Sequence, residues 1–157
     1  MAKLDEFDRK ILRFLQRDAD ISVEDLGEKV GLSRNACWRR VRRLHEDGVI
    51  TGTVALVDPD AVNLRLAAFV TIRAGRHDAE WLARFHKAVH DIPEIVGVYR
   101  TSGDIDYLLY ARIPDMAAYD AVYQRLISRI DLTDVSASFV MEEIKHTTAL
   151  PLDYATG

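Results

Sequence analysis

The chain has 157 residues, of which 48% are apolar and 29% charged, and its formal net charge is −4. That composition is typical of a folded globular protein, and the length allows one medium-sized domain or two small ones. No apolar run approaches the roughly 20 residues that cross a bilayer, and the charged start MAKLDEFDRKIL lacks the apolar core of a signal peptide. A single cysteine, Cys37, excludes an intramolecular disulfide and a multi-cysteine zinc site. These features predict a cytoplasmic protein.

The acidic net charge is unevenly distributed along the chain. Residues 1–50 contain eleven Lys/Arg and ten Asp/Glu, net +1, whereas residues 51–157 contain ten and fifteen, net −5. Segment 33–43, SRNACWRRVRR, contains five arginines and no acid. Because salt screens charges over roughly 8–10 Å, the local charge decides whether a surface can bind nucleic acid. The N-terminal part is therefore a candidate for DNA binding.

Three short helices are predicted in the first 50 residues. Apolar residues at helical spacing predict the first over 5–17, and the second begins at the N-cap Ser22 and ends at Gly31. The third begins at the N-cap Ser33 and continues to about Glu46. The short Val-Gly-Leu-Ser connection between the last two is typical of a helix-turn-helix. Residues 49–59, VITGTVALVDP, alternate like strands and predict a wing leading into a linker.

The remaining sequence predicts the order strand–helix–strand–strand–helix–strand. This order implies a four-stranded antiparallel sheet with both helices on one face. Because the strands are apolar on both sides, the open face is predicted to pack sheet to sheet in a dimer. The predicted domains are a winged helix-turn-helix over 1–57, a linker over 58–64 and a second domain over 65–157. The predicted elements of the second domain are strands 64–74, 94–102, 105–113 and 134–144 and helices 78–91 and 115–130.

Four motifs in order identify a resemblance that covers residues 4–150: LSRNACWRRVRRLHEDGVITG, SGDIDYLL, IPDMAAY and SFVMEEIK. They resemble the Lrp/AsnC family of leucine- and asparagine-responsive regulators. The segments HDAEWLARF, DYLLYARIPDM and SFVMEEIKHTTALPL are most similar to its branch of cysteine-responsive activators of cysteine desulfidation. The resemblance implies an α+β chain in which a β-linker joins the winged helix-turn-helix to a ferredoxin-like (RAM-type) effector and oligomerisation domain. It also implies dimers that assemble into tetramers or octamers, with an amino-acid effector between C-terminal domains. Ala36 departs from the family, where many members have proline.

The third predicted helix carries the expected DNA contacts. Its buried stripe would be Cys37, Val41 and Leu44, which leaves the opposite side for the major groove. The alternative is a solvated face whose arginines pair with Glu46 or Asp47. Trp38 is predicted to cover the edge of the small core. Asn35 and Arg39 are predicted nearest the bases, and Ser33, Arg34, Arg42 and Arg43 on phosphates.

The segment Ser102–Tyr107 is the candidate effector site. Gly103 permits an unusual backbone conformation whose amide groups could hold a carboxylate, and Asp104 or Asp106 could hold an ammonium group. Thr101 and Ser102 would add hydroxyls, and Met141 of a neighbouring sheet would add an apolar wall. By itself the segment is more typical of a hairpin turn than of a binding site. The effector role rests on similarity to the family's G-D-x-D-Y motif.

The sequence contains no P-loop, dinucleotide fingerprint or nucleophile–base set, so we expect neither an enzyme nor a cofactor. His86 and His90 lie four apart, but no third ligand lies near them in sequence, so no metal site is expected. The predicted function is a sequence-specific regulator of amino-acid metabolism that responds to a small amino acid, with cysteine as the first candidate. The alternatives are an architectural DNA-binding protein without an effector and an amino-acid-binding regulatory subunit of an enzyme.

Overall fold

The computed structural model describes residues 3–75 and 78–155, which fold into two compact units. The N-terminal unit comprises Met1–Ala55 and Lys145–Gly157, and the sheet unit comprises Leu56–Ile144. The N-terminal unit contains α1 (Glu6–Leu15), α2 (Val23–Val30) and α3 (Arg34–Glu46). The sheet unit contains β1 (Leu66–Arg73), α4 (Ala79–His90), β2 (Ile95–Arg100), β3 (Tyr107–Ile113), α5 (Met116–Ile127) and β4 (Asp134–Phe139).

The three N-terminal helices form the predicted helix-turn-helix. Asp5, Ser22 and Ser33 each cap a helix by accepting a hydrogen bond from a backbone N–H three residues later. Gly31 ends α2 in the left-handed conformation, with φ 77°. A β-carbon at Gly27 would lie 2.8 Å from the Leu32 carbonyl oxygen, so only glycine lets α2 pass this close to the turn. The core of the unit consists of Leu4, Ile11, Leu12, Leu26, Val30, Cys37 and Leu44.

The wing predicted over 49–59 is wrong for this chain. None of these residues lies in a strand, and Val54, Leu56 and Val57 are exposed. The amides of Val49 and Ile50 instead donate to the Leu44 carbonyl and close the end of α3. Alternation gives a segment the tendency to form a strand, but an isolated two-stranded hairpin is marginally stable without a further packed layer. The described part of the N-terminal unit supplies no strand to pair with this segment.

The C-terminal tail packs with the N-terminal unit, whereas the sequence placed it in the second domain, 65–157. The Gln16 side chain donates to the Leu150 carbonyl at 3.2 Å and accepts from the Leu150 amide at 2.7 Å. Asp153 pairs with Arg13 at 2.8 Å, and Leu152 packs against the helical core. A side-chain amide satisfies both backbone groups of one residue in this way, and sequence periodicity carries no signal for such a contact.

The sheet unit has the predicted antiparallel topology, with the strand order β2-β3-β1-β4. Both helices pack on one face, where Trp81 and Phe85 stack at 5.1 Å between ring centroids and Tyr107 lies 4.4 Å from Phe85. The last strand ends at Phe139 rather than at residue 144, so Met141 lies beyond it. No helix in the described ranges is long and apolar enough to span a membrane.

The other face of the sheet carries apolar side chains that are partly exposed. Phe69 and Tyr110 are register partners on β1 and β3, and their rings stack at 5.0 Å. Tyr99 is more than half exposed, and its ring lies against Gly97, where a β-carbon would meet it at 3.1 Å. This aromatic open face is the surface from which a sheet-to-sheet dimer was predicted.

Candidate DNA-binding surface and effector loop

Helix α3 has one buried and one exposed side, as its sequence predicts. Cys37 and Leu44 are completely buried, and burial raises the pKa of the Cys37 thiol, which disfavours the reactive thiolate. Arg34, Asn35 and Arg39 are exposed on the other side. Among the described residues no ion pair involves Arg34 or Arg39. Two guanidinium groups and one amide are therefore available for a ligand, on a helix held firmly by its apolar stripe.

Two other predicted DNA contacts take part in local structure. The Ser33 hydroxyl caps α3 by accepting from the Ala36 amide at 3.3 Å, and its own hydrogen is available to donate. Arg42 pairs with Glu46 at 2.7 Å, as the solvated-face alternative proposed. It also lies over the Trp38 ring, 5.5 Å from the centroid, and this ring is half exposed. Exposed pairs of this kind contribute little and can exchange for phosphate.

The remaining two arginines of α3 bind acidic residues at the start of the chain. Arg40 contacts Asp5 at 2.6 Å and Asp8 at 2.9 Å, and Arg43 contacts Asp8 at 2.6 Å. Partial burial raises the pKa of Asp5, but hydrogen bonds from the Asp8 amide and Arg40 outweigh it, so that pKa lies below its ordinary value. The hydrogen bond to Asp5 raises the pKa of Arg40. We call Asp5, Asp8, Arg40 and Arg43 the Asp8 network.

The sequence interpretation missed the Asp8 network. Arg43 was predicted on a phosphate, and no contact with the third helix was predicted for Asp5 or Asp8. Both carboxylates do form a capping box, but they also reach the arginines some 32 to 35 positions later. The two acids spaced three apart at a helix start were a signal of a shared face. Their partners could be identified only once α1 and α3 were packed together.

A concavity of about 350 Å³ lies beside α3, lined by Leu32, Ala36, Arg39, Arg40 and Arg43. Three guanidinium groups therefore border one depression at the helix-turn-helix. Arg40 and Arg43 are the arms of the Asp8 network, whereas no ion pair of Arg39 is found within residues 3–75 and 78–155. An anionic group such as a backbone phosphate matches the charge of this surface.

The effector loop, residues 101–106, connects β2 to β3 and uses much of its polarity internally. Gly103 has φ 122°, a conformation that side chains resist, so the loop does depend on glycine there. The Thr101 hydroxyl donates to the Ile105 carbonyl at 2.6 Å. The Asp106 carboxylate accepts from the Ala74 amide at 2.8 Å and so fastens the end of β1. Arg73 donates to the Asp104 carbonyl at 2.7 Å.

The predicted effector residues differ in their exposure. Ser102, Gly103 and Asp104 are exposed at the tip of the loop, whereas Thr101 and Asp106 are partly buried. Met141 is 95% exposed in the single chain, so it could line a pocket only against another chain. Among the described residues no group of three or more His, Cys, Asp or Glu side chains could hold a metal ion.

Similarity to known proteins agrees with both regions. The AsnC-type helix-turn-helix domain matches residues 4–45, and the Lrp/AsnC ligand binding domain matches residues 67–150. The glutamate uptake regulatory protein of Zymomonas mobilis is 51% identical over 96% of this chain and 92% of its own. The DNA-binding transcriptional activator DecR of Escherichia coli is 44% identical over 96% and 99%.

A solved structure extends the similarity to three dimensions. The transcriptional regulator NMB0573 of Neisseria meningitidis, in complex with L-Met, has a TM-score of 0.91 and 38% identity, covering 96% of this chain and 98% of its own. These relatives are regulators rather than enzymes, in agreement with the sequence prediction. The fold of this chain agrees with both matches. It has a helix-turn-helix with an exposed cationic helix, followed by a βαββαβ domain over the region matched by the ligand binding domain. The chain belongs to the Lrp/AsnC family of transcriptional regulators.

Proposed function

We propose that the protein is a cytoplasmic, sequence-specific regulator of amino-acid metabolism whose DNA binding responds to a small amino acid. The observation that carries this proposal is the exposed side of α3, where Arg34 and Arg39 extend from a helix-turn-helix without ion pairs in the described part of the chain. Such a helix fits the major groove of B-DNA. An internal structural role for these two side chains would require acidic partners, and the described residues supply none.

The proposed DNA contacts follow the order of residues along α3. Asn35 and Arg39 lie nearest the bases, because amide and guanidinium groups can make paired hydrogen bonds to adenine and guanine edges. Ser33, Arg34 and Arg42 contact phosphates, Arg42 by releasing Glu46. The N–H groups of Arg43 that are not bound to Asp8 contact a further phosphate. Phosphate contacts orient the protein on the duplex, and base contacts supply the sequence preference.

The proposed effector site lies between the sheet units of neighbouring chains. The loop tip, with Ser102, Gly103 and Asp104, presents exposed polar groups for the charged ends of an amino acid, and Asp106 and Thr101 hold its shape. Met141 of a neighbouring chain adds an apolar wall. Cysteine is the first candidate from the sequence resemblance, and L-methionine is the second because the relative from Neisseria meningitidis binds it.

The proposed oligomer is a dimer formed through the aromatic open face, which assembles further into a tetramer or octamer. Phe69, Tyr99 and Tyr110 are side chains of the size and chemistry that fill the centres of interfaces. Because the effector would bind between chains, its occupancy would change the arrangement of dimers and hence the spacing of the DNA-binding units.

The experiment is a selection of duplexes from a random-sequence library by the full chain, followed by sedimentation and a thermal-shift screen of the twenty amino acids. We expect an enriched sequence and one amino acid that stabilises the protein, by about 2.7 kcal/mol at a hundred times its Kd. Salt-sensitive binding with no enriched sequence and no amino-acid response would favour the architectural alternative instead.

A further inference from the structure

Asp8 is a charged residue of the N-terminal unit that is completely buried. Its side chain is 0% exposed, and its two carboxylate oxygens accept from three groups: Arg40 at 2.9 Å, Arg43 at 2.6 Å and the Asp5 amide at 3.1 Å. Burying a carboxylate costs several kcal/mol unless charged partners and hydrogen bonds offset it. A buried acid that is satisfied this fully holds its partners in one geometry.

The partners of Asp8 lie on the helix proposed to contact DNA. Asp8 is in the first turn of α1, whereas Arg40 and Arg43 lie one turn apart in the second half of α3. Arg40 is also bound by Asp5, and its guanidinium lies over the Phe7 ring, 5.4 Å from the centroid. The first turn of α1 therefore contacts α3 at two positions one helical turn apart, Arg40 and Arg43. These directional ion pairs act together with the apolar packing of Cys37 and Leu44 to hold the rotation and register of α3.

The Asp8 network also divides the arginines of α3 by role. The charges of Arg40 and Arg43 are balanced by Asp5 and Asp8, whereas Arg34 and Arg39 have no such balance among the described residues. Arg40 and Arg43 still border the concavity that Arg39 shares. The network thus orients two guanidinium groups next to the surface where Arg39 would meet DNA.

We propose that Asp8 is a positioning residue for DNA binding, which holds α3 and its DNA-facing side chains in place through Arg40 and Arg43. This inference rests on the proposed function of α3. Preorganisation of this kind favours the specific complex, because a helix that is free to rotate must be ordered on binding. Arg40 acts on the protein side of the network and makes no contact with DNA.

The direction in which Asp8→Asn changes the affinity for DNA distinguishes a positioning role from a purely electrostatic effect. Asp8→Asn removes a negative charge close to DNA, so electrostatic attraction alone would strengthen binding to every duplex. Loss of positioning weakens binding to the specific duplex only. Asn keeps an oxygen that can accept from the Asp5 amide, so the capping box can persist. Glu6→Gln is the matched control, because it removes the same charge from an exposed residue of α1 whose ion pair, among the described residues, is with Lys10.

The experiment measures the affinity of the full-length chain for two duplexes: one selected from a random library by the unsubstituted protein, and a scrambled version. The variants are D8N, R40Q, the double variant and E6Q, all studied well below their unfolding midpoints. We expect D8N and R40Q to bind the selected duplex roughly tenfold more weakly, with the scrambled duplex and the salt slope unchanged. The double variant should be no weaker than the weaker single variant, because both break one network.

Three results would overturn the inference. D8N or R40Q could bind the selected duplex as tightly as E6Q does, the losses could simply add, or R40Q could lower the salt slope by about one, as a lost phosphate contact would. If D8N fails to fold, R40Q decides, because it leaves Asp8 paired with Arg43. If the unsubstituted protein enriches no sequence, the proposed function and this inference both fail; an enriched sequence that D8N and R40Q bind normally removes the inference alone.

Discussion

The exposed side of α3 and the effector loop present their polar groups in different ways. On α3, Arg34, Asn35 and Arg39 are exposed, and neither arginine has an ion pair within the described ranges. In the loop, the Thr101 hydroxyl, the Asp106 carboxylate and the Asp104 carbonyl are bound to the chain's own backbone or to Arg73. A long DNA duplex can be contacted by side chains that protrude from the surface of a single chain. A small amino acid is bound in an enclosed site, whereas Ser102, Gly103 and Asp104 at the tip of this loop are exposed.

The largest expected effect is on the α3 side of this comparison. Arg39→Ala should weaken binding to the selected duplex by roughly 1–3 kcal/mol and relax its base preference, because a paired contact to a base edge is lost. Arg42→Ala is the control: its side chain already pairs with Glu46, so a smaller and sequence-independent loss is expected. Competition gel shifts with single-base variants of the duplex measure both. Equal losses on all sequences for Arg39→Ala would place that residue on a phosphate instead.

Within the loop, substitution of Asp106 should affect stability, whereas substitution of Asp104 should affect ligand binding. Asp106→Ala leaves the Ala74 amide without its acceptor, and we expect a loss of roughly 1–3 kcal/mol in the free energy of unfolding. Asp104→Ala alters an exposed side chain and should leave the unfolding midpoint unchanged while abolishing the stabilisation by the amino-acid effector. Thermal unfolding with and without effector gives both quantities. An intact effector response in Asp104→Ala would mean that the ammonium group is bound elsewhere.

A smaller effect is expected where the tail meets α1. Gln16→Ala removes two hydrogen bonds to Leu150 and should lower the unfolding free energy of the N-terminal unit by about 1 kcal/mol. Arg17→Ala, one residue along and exposed, is the control. Amide hydrogen exchange in α1 and in β1 shows whether the loss of stability is confined to the N-terminal unit. Equal loosening of both helices and sheet would show that the tail stabilises more than its own unit.

The smallest expected effect is a decrease in the stability of the folded protein at acidic pH. Hydrogen bonds and the charge of Arg40 lower the pKa of Asp5 in the folded state despite its partial burial, so folding favours the ionised form. This contribution is complete above the ordinary value of 3.8 and is lost as the pH falls through the lower folded pKa. Arg125 likewise lowers the pKa of Glu94 despite burial, so the sheet unit weakens in acid as well. Unfolding midpoints between pH 5 and about 3 should fall, and the fall should be shallower in Asp5→Asn.

The local patterns determined the elements and the order in which they occur. The capping serines, Gly31 and the apolar stripe of Cys37 and Leu44 predicted the start of α3 after Ser33 and its end near Glu46, because these signals act within a few positions of one another. The order of strands and helices similarly limited the sheet to one topology, since only a few connections are physically favourable. The sequence motifs by themselves also indicate the family.

Contacts between distant positions were decided by tertiary structure alone. Asp8 reaches Arg43, and Gln16 reaches Leu150, over separations that no periodicity encodes, because a side chain's partner depends on how whole elements pack. Residues 49–59 illustrate the same limit. Their alternating pattern predicts a strand, but none forms because no neighbouring strand is present in the described part of the N-terminal unit. Sequence therefore set which residues could bind DNA, and packing decided which of the arginines remain available to do so.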